Sequence, residues 1–292
     1  YLLILTPRSI EIASKIMKKD YDHAHLFWGH YPSLVGLLLS KFSKIKFSMF
    51  LGAYDLEMEL GISKATCSKA SKVFTHSKYN AEVLKKNFGV NAEVSYRSID
   101  IPNQLPEQIQ KKPKLIVTVG RLIKDKGHSI SINVMKECLK LDSNYELIII
   151  GDGPEKECLK KEIEDLNLAD KIKITGYLPN DQVLSLLHLS TGFFLFSTSQ
   201  SERLPNVVKE AMLYESIPFI SNTKGIEELA TNKCAVIFNN LSNPTAIAKK
   251  VNEIITNEKS LKSMTSHGKE IIIQNFSIKK NMQKYSHHWT SS

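Results

Sequence analysis

Residues 192–216, GFFLFSTSQSERLPNVVKEAMLYES, decide the fold. Residues 193–196 form an apolar run of the length of a buried strand, and residues 197–201 are small and polar, as in a loop. Pro205 suits the first position of a helix, because its fixed φ matches the helix and its missing N–H is not needed there. Apolar residues at helical spacing follow. The stretch therefore predicts a strand, a loop and a helix over residues 205–214.

Two glutamates flank this predicted connection between strand and helix. Glu202 lies in the loop, and Glu210 shares a helix face with Asn206, four residues earlier. The backbone N–H groups of residues 204–207 lie between the carboxylates, and free N–H groups at a helix start can bind an anion. Carboxylates bind hydroxyl groups and N–H groups bind phosphate oxygens, so the pattern suits a sugar nucleotide. A solvent-exposed helix face is the alternative interpretation of the same two glutamates.

Short apolar runs of the same kind recur through the second half of the chain. Continuous apolar runs are typical of strands that are buried on both faces of a sheet. The other five lie at residues 115–120, 146–151, 171–176, 217–222 and 234–239. Segments with helical spacing separate them, which predicts an α/β fold with a doubly wound parallel sheet. Residues 23–96 show a similar alternation, so we expect a second α/β domain there.

Residues 101–113 contain three prolines and no apolar period, which predicts a linker. We therefore expect an N-terminal domain at residues 1–105 and a C-terminal domain at residues 106–274. Residues 275–292 have a helical pattern with an aromatic and basic end. We expect this last helix to pack back on the N-terminal domain.

The chain of 292 residues has a formal net charge of +9, which favours anionic partners such as phosphates or an acidic membrane face. Its lysines are spread over many predicted helices, so we expect no nucleic acid partner. It has no run of eighteen apolar residues, no signal-peptide pattern and no CxxC spacing among its four cysteines. These features predict a cytoplasmic protein that contacts the inner face of the membrane peripherally.

Ligands of doubly wound sheets bind outside the carboxyl ends of the strands, so the residues there are candidates for a site. Gly120 and Arg121 follow the first strand of the second half, and Lys126 lies in the same loop. Two cations five residues apart can bind a diphosphate from two sides, although two solvated loop residues are the alternative. Tyr177 and Leu178 follow the third strand and add an aromatic ring to the same edge.

His23, His25 and His30 are close in sequence, but no fourth ligand has the spacing of a zinc site. We therefore predict no metal site and expect these histidines in a core or a cleft. His30 and Tyr31 stand out, because they follow the end of a predicted strand.

Five motifs resemble those of the retaining, nucleotide-sugar-dependent glycosyltransferases of the GT-B fold, family 4 (glycosyl transferases group 1), which build bacterial polysaccharides. In order, they are VGRLIKDKG, IIIGDGPEKECL, KITGYLP, SERLPNVVKEAM and GIEELA. The resemblance is strong over residues 114–240 and weaker over residues 22–100. It implies two Rossmann-like domains, the C-terminal one complete and the N-terminal one incomplete. The first strand and glycine-rich loop of the family have no counterpart here, so we expect an N-terminally truncated chain.

The resemblance also implies roles for the residues at the strand ends. Arg121 and Lys126 would hold the diphosphate and support its departure, Glu202 would lie beside the transferred sugar, and Glu210 would bind the ribose hydroxyls. The other donor-binding positions would be Gly120, Tyr177, Leu178, Leu204, Pro205, Asn206 and Val207.

The reaction implied is transfer of a hexose from a UDP- or GDP-linked donor to a glycan or a lipid-linked glycan, with retention and without a metal or another cofactor. In this family the leaving diphosphate is thought to help deprotonate the acceptor. Two positions depart from the family pattern: Arg203 replaces a frequent glycine, and Gly52 stands where relatives often have a histidine that contacts the donor sugar. A non-catalytic protein that binds sugar nucleotides or acts as a scaffold is the alternative.

Overall fold

The structure is a computed structural model that describes residues 2–58, 61–103, 109–199 and 202–290. The chain forms two compact units, unit 1 with Tyr1–Ser98 and Ile278–Ser292, and unit 2 with Ile99–Ser277. Each unit contains a parallel sheet with helices, which confirms the predicted α/β fold with two Rossmann-like domains. The predicted boundary between residues 105 and 106 lies outside the described residues.

Unit 1 is built on a four-stranded parallel sheet in the order β1-β2-β3-β4. A π-helical turn at Leu84–Phe88 precedes the last of these strands. The elements are α1 (Leu2–Met17), β1 (His23–Phe27), α2 (Tyr31–Phe42), β2 (Lys46–Phe50), α3 (Ala53–Glu57), α4 (Gly61–Cys67), β3 (Lys72–Thr75), α5 (Lys78–Val83) and β4 (Glu93–Val94).

Strand β2 shows how the sheet of unit 1 divides its two faces. Phe47 and Met49 are buried in a core cluster with Leu39 of α2. Because successive side chains of a strand point to opposite faces, Ser48 and Phe50 lie on the other face of the sheet. The first face therefore holds the apolar core, and the second face is available for a further helix.

Unit 2 is built on a six-stranded parallel sheet in the order β10-β9-β8-β5-β6-β7. The strand order reverses at β5, which pairs with β6 on one side and β8 on the other. The elements are β5 (Leu115–Val119), α6 (His128–Leu141), β6 (Glu146–Ile150), α7 (Lys156–Asp165), β7 (Ile172–Gly176), α8 (Asn180–Leu189), β8 (Gly192–Leu195), α9 (Asn206–Leu213), β9 (Ile217–Ser221), β10 (Val236–Phe238), α10 (Pro244–Thr256) and α11 (Glu258–Asn275).

The helix after β8 begins one residue later than the sequence predicts. Pro205 has φ −61° and ψ 133°, so it is extended and immediately precedes α9 instead of occupying its first position. The fixed φ of proline is compatible with both conformations, and here the ψ angle differs from that of a helix. The helix therefore starts at Asn206.

The C-terminal helix α12 (Ile278–Thr290) belongs to unit 1. The ring of Tyr285 lies 4.4 Å from that of Phe74 of β3, and both rings belong to a small buried cluster. Trp289 donates a hydrogen bond from Nε1 to the Ser48 hydroxyl at 3.3 Å. The helix thus covers the second face of the unit 1 sheet. In the part of the chain that the structure describes, no helix is both long and apolar enough to cross a membrane.

The Ser48 hydroxyl also binds two histidines of β1. His23 Nε2 and His25 Nδ1 each lie 2.8 Å from Ser48 Oγ. A hydroxyl has one hydrogen and two acceptor lone pairs, and Trp289 uses one of the pairs. If both imidazoles were protonated, three donors would compete for two lone pairs. The contact between α12 and the sheet therefore favours a neutral form of at least one of the two histidines.

Burial also favours the neutral form of the histidines in this contact. It lowers the pKa of His25 to about 4, helped by the nearby His23 and His288. The pKa of His23 is lowered by burial and then by His288 and Lys46. Burial and Lys72 lower the pKa of His288, and Glu93 opposes the shift.

We expect unit 1 to lose stability in mild acid. The unfolded histidines titrate near pH 6.5, at about the usual value, whereas folded His25 stays neutral down to about pH 4. Between about pH 4 and 6.5 the unfolded chain therefore binds more protons than the folded chain. The free energy of unfolding is thus highest above about pH 6.5 and falls as the pH drops toward 4. Urea unfolding followed by circular dichroism at several pH values measures the slope.

His25→Phe should flatten this pH dependence, since phenylalanine keeps a ring but cannot be protonated. His287→Phe is the control, because His287 lies exposed on α12 of the same unit. Equal slopes for the wild type and both variants would contradict the assignment to His25.

Candidate functional site

The loops that follow β5, β6 and β7 are joined by backbone hydrogen bonds. Gly120 N–H donates to Ile150 O at 3.0 Å, and Gly151 N–H donates to Gly176 O at 2.9 Å. Gly151 has φ +146°, and a Cβ there would collide with the carbonyl oxygen of Gly120. Glycine is therefore required at this point, where the two loops approach most closely.

These loops border a cavity of about 350 Å³ at the carboxyl edge of the sheet. A volume of this size is at the lower end of the range of small-molecule sites. Strand β5 and the start of α9 contribute to the same cavity, so residues from distant parts of the sequence meet there. Of the residues predicted from the sequence, the lining includes Gly120, Arg121, Tyr177, Leu178, Val207 and Glu210.

Arg121 and Tyr177 are exposed at this cavity, the tyrosine to 80%. Glu210 lies deeper. Burial raises its pKa, and the positive charge of Lys209 opposes this shift. The cavity therefore combines an accessible guanidinium and aromatic ring with a half-buried carboxyl group.

Lys209 is fully buried, which was not predicted from the sequence. Its Nζ donates a hydrogen bond to Asn206 Oδ1 at 3.1 Å and lies 5.2 Å from the centre of the Phe276 ring. The amide oxygen of Asn206 is thus bound within the protein. The sequence feature that could have indicated this burial is the position of Lys209 between Val208 and Ala211, on the apolar side of the predicted helix.

Three other predicted positions lie away from the cavity. Leu204 and Pro205 are buried, and Leu204 is only 6% exposed. Together with Asn206, they are absent from the cavity lining among the described residues. Because Pro205 also lacks an N–H group, this segment offers fewer backbone donors than the helix-start argument assumed. The possible donors are therefore the N–H groups of Leu204, Asn206 and Val207, and their binding of an anion stays a prediction.

Lys126 and Glu202 form a second group next to the cavity. Their side chains make an ion pair and are 23% and 16% exposed. The pair brings together two residues that the sequence assigned to separate tasks, one to the diphosphate and one to the sugar. Neither residue lines the cavity in the part of the chain that is described.

Two connections hold the Lys126 loop against the loop after β8. Asp125 O accepts hydrogen bonds from Thr198 N–H at 2.9 Å and from Ser197 Oγ at 3.0 Å. Gly127 has φ +69°, and a Cβ there would collide with the carbonyl oxygen of Phe196. The close approach of these two loops therefore positions Lys126 beside Glu202.

His128 fixes the other end of the same loop and was also missed from the sequence. It is buried at the start of α6, and its Nε2 lies 3.2 Å from Arg121 O. Burial lowers the pKa of His128, the carbonyl of Arg121 opposes this, and Lys126 adds to the lowering. A neutral ring that donates from Nε2 fits these contacts, so His128 fixes the backbone of Arg121. The sequence feature that could have indicated this role is the position of His128 directly after Lys126 and Gly127.

Among residues 2–58, 61–103, 109–199 and 202–290, no group of three or more histidine, cysteine, aspartate or glutamate side chains could hold a metal ion. The prediction of a metal-free site was based on sequence spacing, and it stays a prediction.

The family model described as Glycosyl transferases group 1 matches residues 102–271, which include the whole candidate site. The chain is 28% identical over 182 residues to the 2-deoxystreptamine N-acetyl-D-glucosaminyltransferase of Niallia circulans, covering 61% of this chain and 46% of the relative.

A second relative is the N-acetylgalactosamine-N,N'-diacetylbacillosaminyl-diphospho-undecaprenol 4-alpha-N-acetylgalactosaminyltransferase of Campylobacter jejuni. It is 35% identical over 115 residues, or 37% of this chain and 31% of the relative. The chain therefore spans less than half the length of both curated relatives.

Two solved structures share the fold. The HepE protein of Anabaena, in complex with UDP and glucose, has a TM-score of 0.78 and 18% identity, covering 98% of this chain and 82% of that protein. A glycosyltransferase from Rickettsia africae has a TM-score of 0.79 and 18% identity, covering 100% of this chain and 82% of that protein.

The Gly127 contact can be tested by stability. Gly127→Ala combines a left-handed φ with a backbone collision, so we expect it to lower the free energy of unfolding by at least about 3 kcal/mol. Gly176→Ala is the matched control in unit 2: its φ is +78°, but the nearest atom to an added Cβ is Lys156 Nζ at 3.6 Å. We expect its free energy of unfolding to fall by only about 1–2 kcal/mol, the usual penalty for the left-handed conformation.

Chemical denaturation of both variants measures the difference. If Gly127→Ala were no more destabilised than Gly176→Ala, the close approach of the two loops would not be a constraint on the fold.

Proposed function

The chain belongs to the glycosyl transferases group 1 family, and we propose that it transfers a hexose from a nucleotide sugar to a glycan or lipid-linked glycan, with retention, as in family 4. The observation that carries this proposal is the cavity at the strand ends of unit 2. It brings Arg121 of the first loop and Glu210 of α9 to one site within the matched region. A guanidinium and a carboxyl group in one cavity can bind the phosphate and hydroxyl parts of one nucleotide.

The nucleoside diphosphate would occupy this cavity. Arg121 would bind the phosphates, and Glu210 would accept hydrogen bonds from the ribose hydroxyls. Gly120, Tyr177 and Leu178 would border the base and ribose, the last two through their main chain. The contact of HepE with UDP favours a UDP-linked donor, and a GDP-linked donor is the alternative.

The diphosphate would also take the place of Glu202 beside Lys126. An ammonium group forms charge-assisted bonds with either a carboxylate or a phosphate, so the exchange keeps Lys126 paired. Glu202 would then be free to interact with the transferred sugar. Val207 and the neighbouring residues Leu204, Pro205 and Asn206 would support this loop. With two cations at the phosphates, the proposed site needs no divalent metal or other cofactor.

The acceptor is proposed to be a glycan carried on a lipid, at the inner face of the membrane. The Campylobacter relative is named for an undecaprenol-linked substrate, and the net charge of +9 suits an anionic membrane surface. Peripheral contact through exposed lysines would keep the enzyme near such an acceptor.

Removing either cation should weaken the binding of nucleoside diphosphate. Arg121→Ala and Lys126→Ala should each reduce the binding free energy of UDP or GDP by about 1.5–3 kcal/mol, the scale of a hydrogen bond to a charged group. Lys124→Ala is the matched control, since Lys124 lies exposed in the same turn and has the same charge. Isothermal titration calorimetry gives the affinities. UDP and GDP binding that is unaffected by the first two substitutions would disprove the phosphate assignment.

The two glutamates should separate by their effects on kinetics. Glu210→Gln should raise the donor KM about tenfold with kcat nearly unchanged, because its contacts are present in both the ground state and the transition state. Glu202→Gln should lower kcat about 100-fold, because its carboxylate would stabilise positive charge that develops on the sugar. It should not weaken donor binding, since the diphosphate would displace this carboxylate from Lys126.

Steady-state transfer assays with UDP- and GDP-hexoses distinguish these outcomes. Unchanged kcat and KM in both variants would show that neither glutamate takes part in donor binding or transfer. Donor binding without any transfer or hydrolysis by the wild type would favour the non-catalytic alternative.

A further inference from the structure

A buried carboxylate joins two strand-end loops of unit 1. Asp55 of α3 is fully buried. Its Oδ1 accepts a hydrogen bond from Gly29 N–H at 2.9 Å, just after β1, and its Oδ2 accepts one from Gly52 N–H at 2.8 Å, just after β2. Since both oxygens are bound to backbone, the carboxylate has a fixed position.

The same carboxylate faces a histidine that reaches the surface. His30 Nδ1 lies 3.3 Å from Asp55 Oδ1, and the His30 side chain is 29% exposed. The contact has the distance of an ion pair but not the alignment of a hydrogen bond, and such contacts often tighten when a ligand binds. A carboxylate only accepts hydrogen bonds, so it favours the tautomer with hydrogen on Nδ1. The lone pair on Nε2 is then available to a donor from outside.

The surroundings of His30 are rigid. The carbonyl oxygen of Gly29 accepts hydrogen bonds from the hydroxyls of both Ser33 and Ser63, which lie on α2 and α4. A Cβ on Gly29 would lie 2.7 Å from Leu51 and 2.8 Å from the Ser63 hydroxyl, so only glycine fits. The backbone directly before His30 is therefore held by buried groups before any ligand arrives.

An exposed aromatic ring lies beside this histidine. The ring of Tyr54 is 5.3 Å from that of His30, edge to face, and Tyr54 is 53% exposed. Uncharged sugars bind proteins through hydroxyl hydrogen bonds and through packing of their C–H faces on aromatic rings. An anionic ligand fits poorly, because the buried charge of Asp55 would repel it.

We propose that His30 and Tyr54 form a glycan-binding site of unit 1, in which His30 Nε2 accepts a hydrogen bond from a sugar hydroxyl and Tyr54 packs against the sugar ring. Asp55 is the positioning residue, because it sets the tautomer and the orientation of His30. The ligand is an uncharged pyranose of the acceptor glycan, and this identification rests on the proposed function.

Imidazole NMR tests the site without catalysis. Long-range ¹H–¹⁵N spectra of the chain should show His30 with hydrogen on Nδ1. Titration with glucose, galactose, N-acetylglucosamine and N-acetylgalactosamine should shift its Nε2 signal with at least one sugar. His287, exposed on α12, provides the internal control and should not move. If none of the four sugars shifts the His30 signal selectively, the glycan site is disproved.

Kinetics with the same sugars as acceptors test its role. His30→Phe should raise the acceptor KM about 3- to 10-fold, the range for loss of one neutral hydrogen bond, and leave the donor KM and UDP affinity unchanged. His30→Gln keeps an acceptor atom and should restore part of the loss. An unchanged acceptor KM in His30→Phe would overturn the inference while the proposed transfer stands. If the wild type transfers no sugar, the proposed function fails, and the NMR titration still decides the site.

Discussion

The carbonyl oxygen of Asp125 is the point on which the candidate site depends. It accepts hydrogen bonds from Ser197 and Thr198, and so joins the loop after β5 to the loop after β8. These loops can meet because β5 and β8 are neighbours in the sheet, at the place where the strand order reverses. Ligands of doubly wound sheets bind at this kind of place. The absence of a side chain at Gly127 lets the two backbones come close enough for Lys126 to reach Glu202.

Much of this arrangement could be predicted from the sequence, because the signals are local. Continuous apolar runs marked the six strands of unit 2, and the residues just after them include six that line the cavity. The start of α9 was misplaced by one residue, because the φ of proline is the same before a helix and inside it. The predicted domain limits stay a prediction, since a proline-rich segment marks where regular structure stops but not which contacts each side makes.

Contacts between distant segments could not be predicted. The pairing of Lys126 with Glu202 requires knowledge of the strand order, which apolar periodicity does not give. A charged residue on a short helix is usually exposed, yet Lys209 is fully buried. In unit 1, the sequence marked His30 by its place after a strand. Its partner Asp55 is visible only once the loops after β1 and β2 are next to each other.

The ion pair of Lys126 and Glu202 has a consequence for selectivity in the cell. A lysine held by its own carboxylate is not an open site for chloride, inorganic phosphate or other small anions. Because both side chains are mostly buried, dissolved salt screens their attraction only weakly. An anion must therefore displace the glutamate, and a ligand that contacts several points of the site at once can do so more readily than a free ion. The ion pair therefore favours ligands that contact several points of the site over small anions, even where the small anions are abundant.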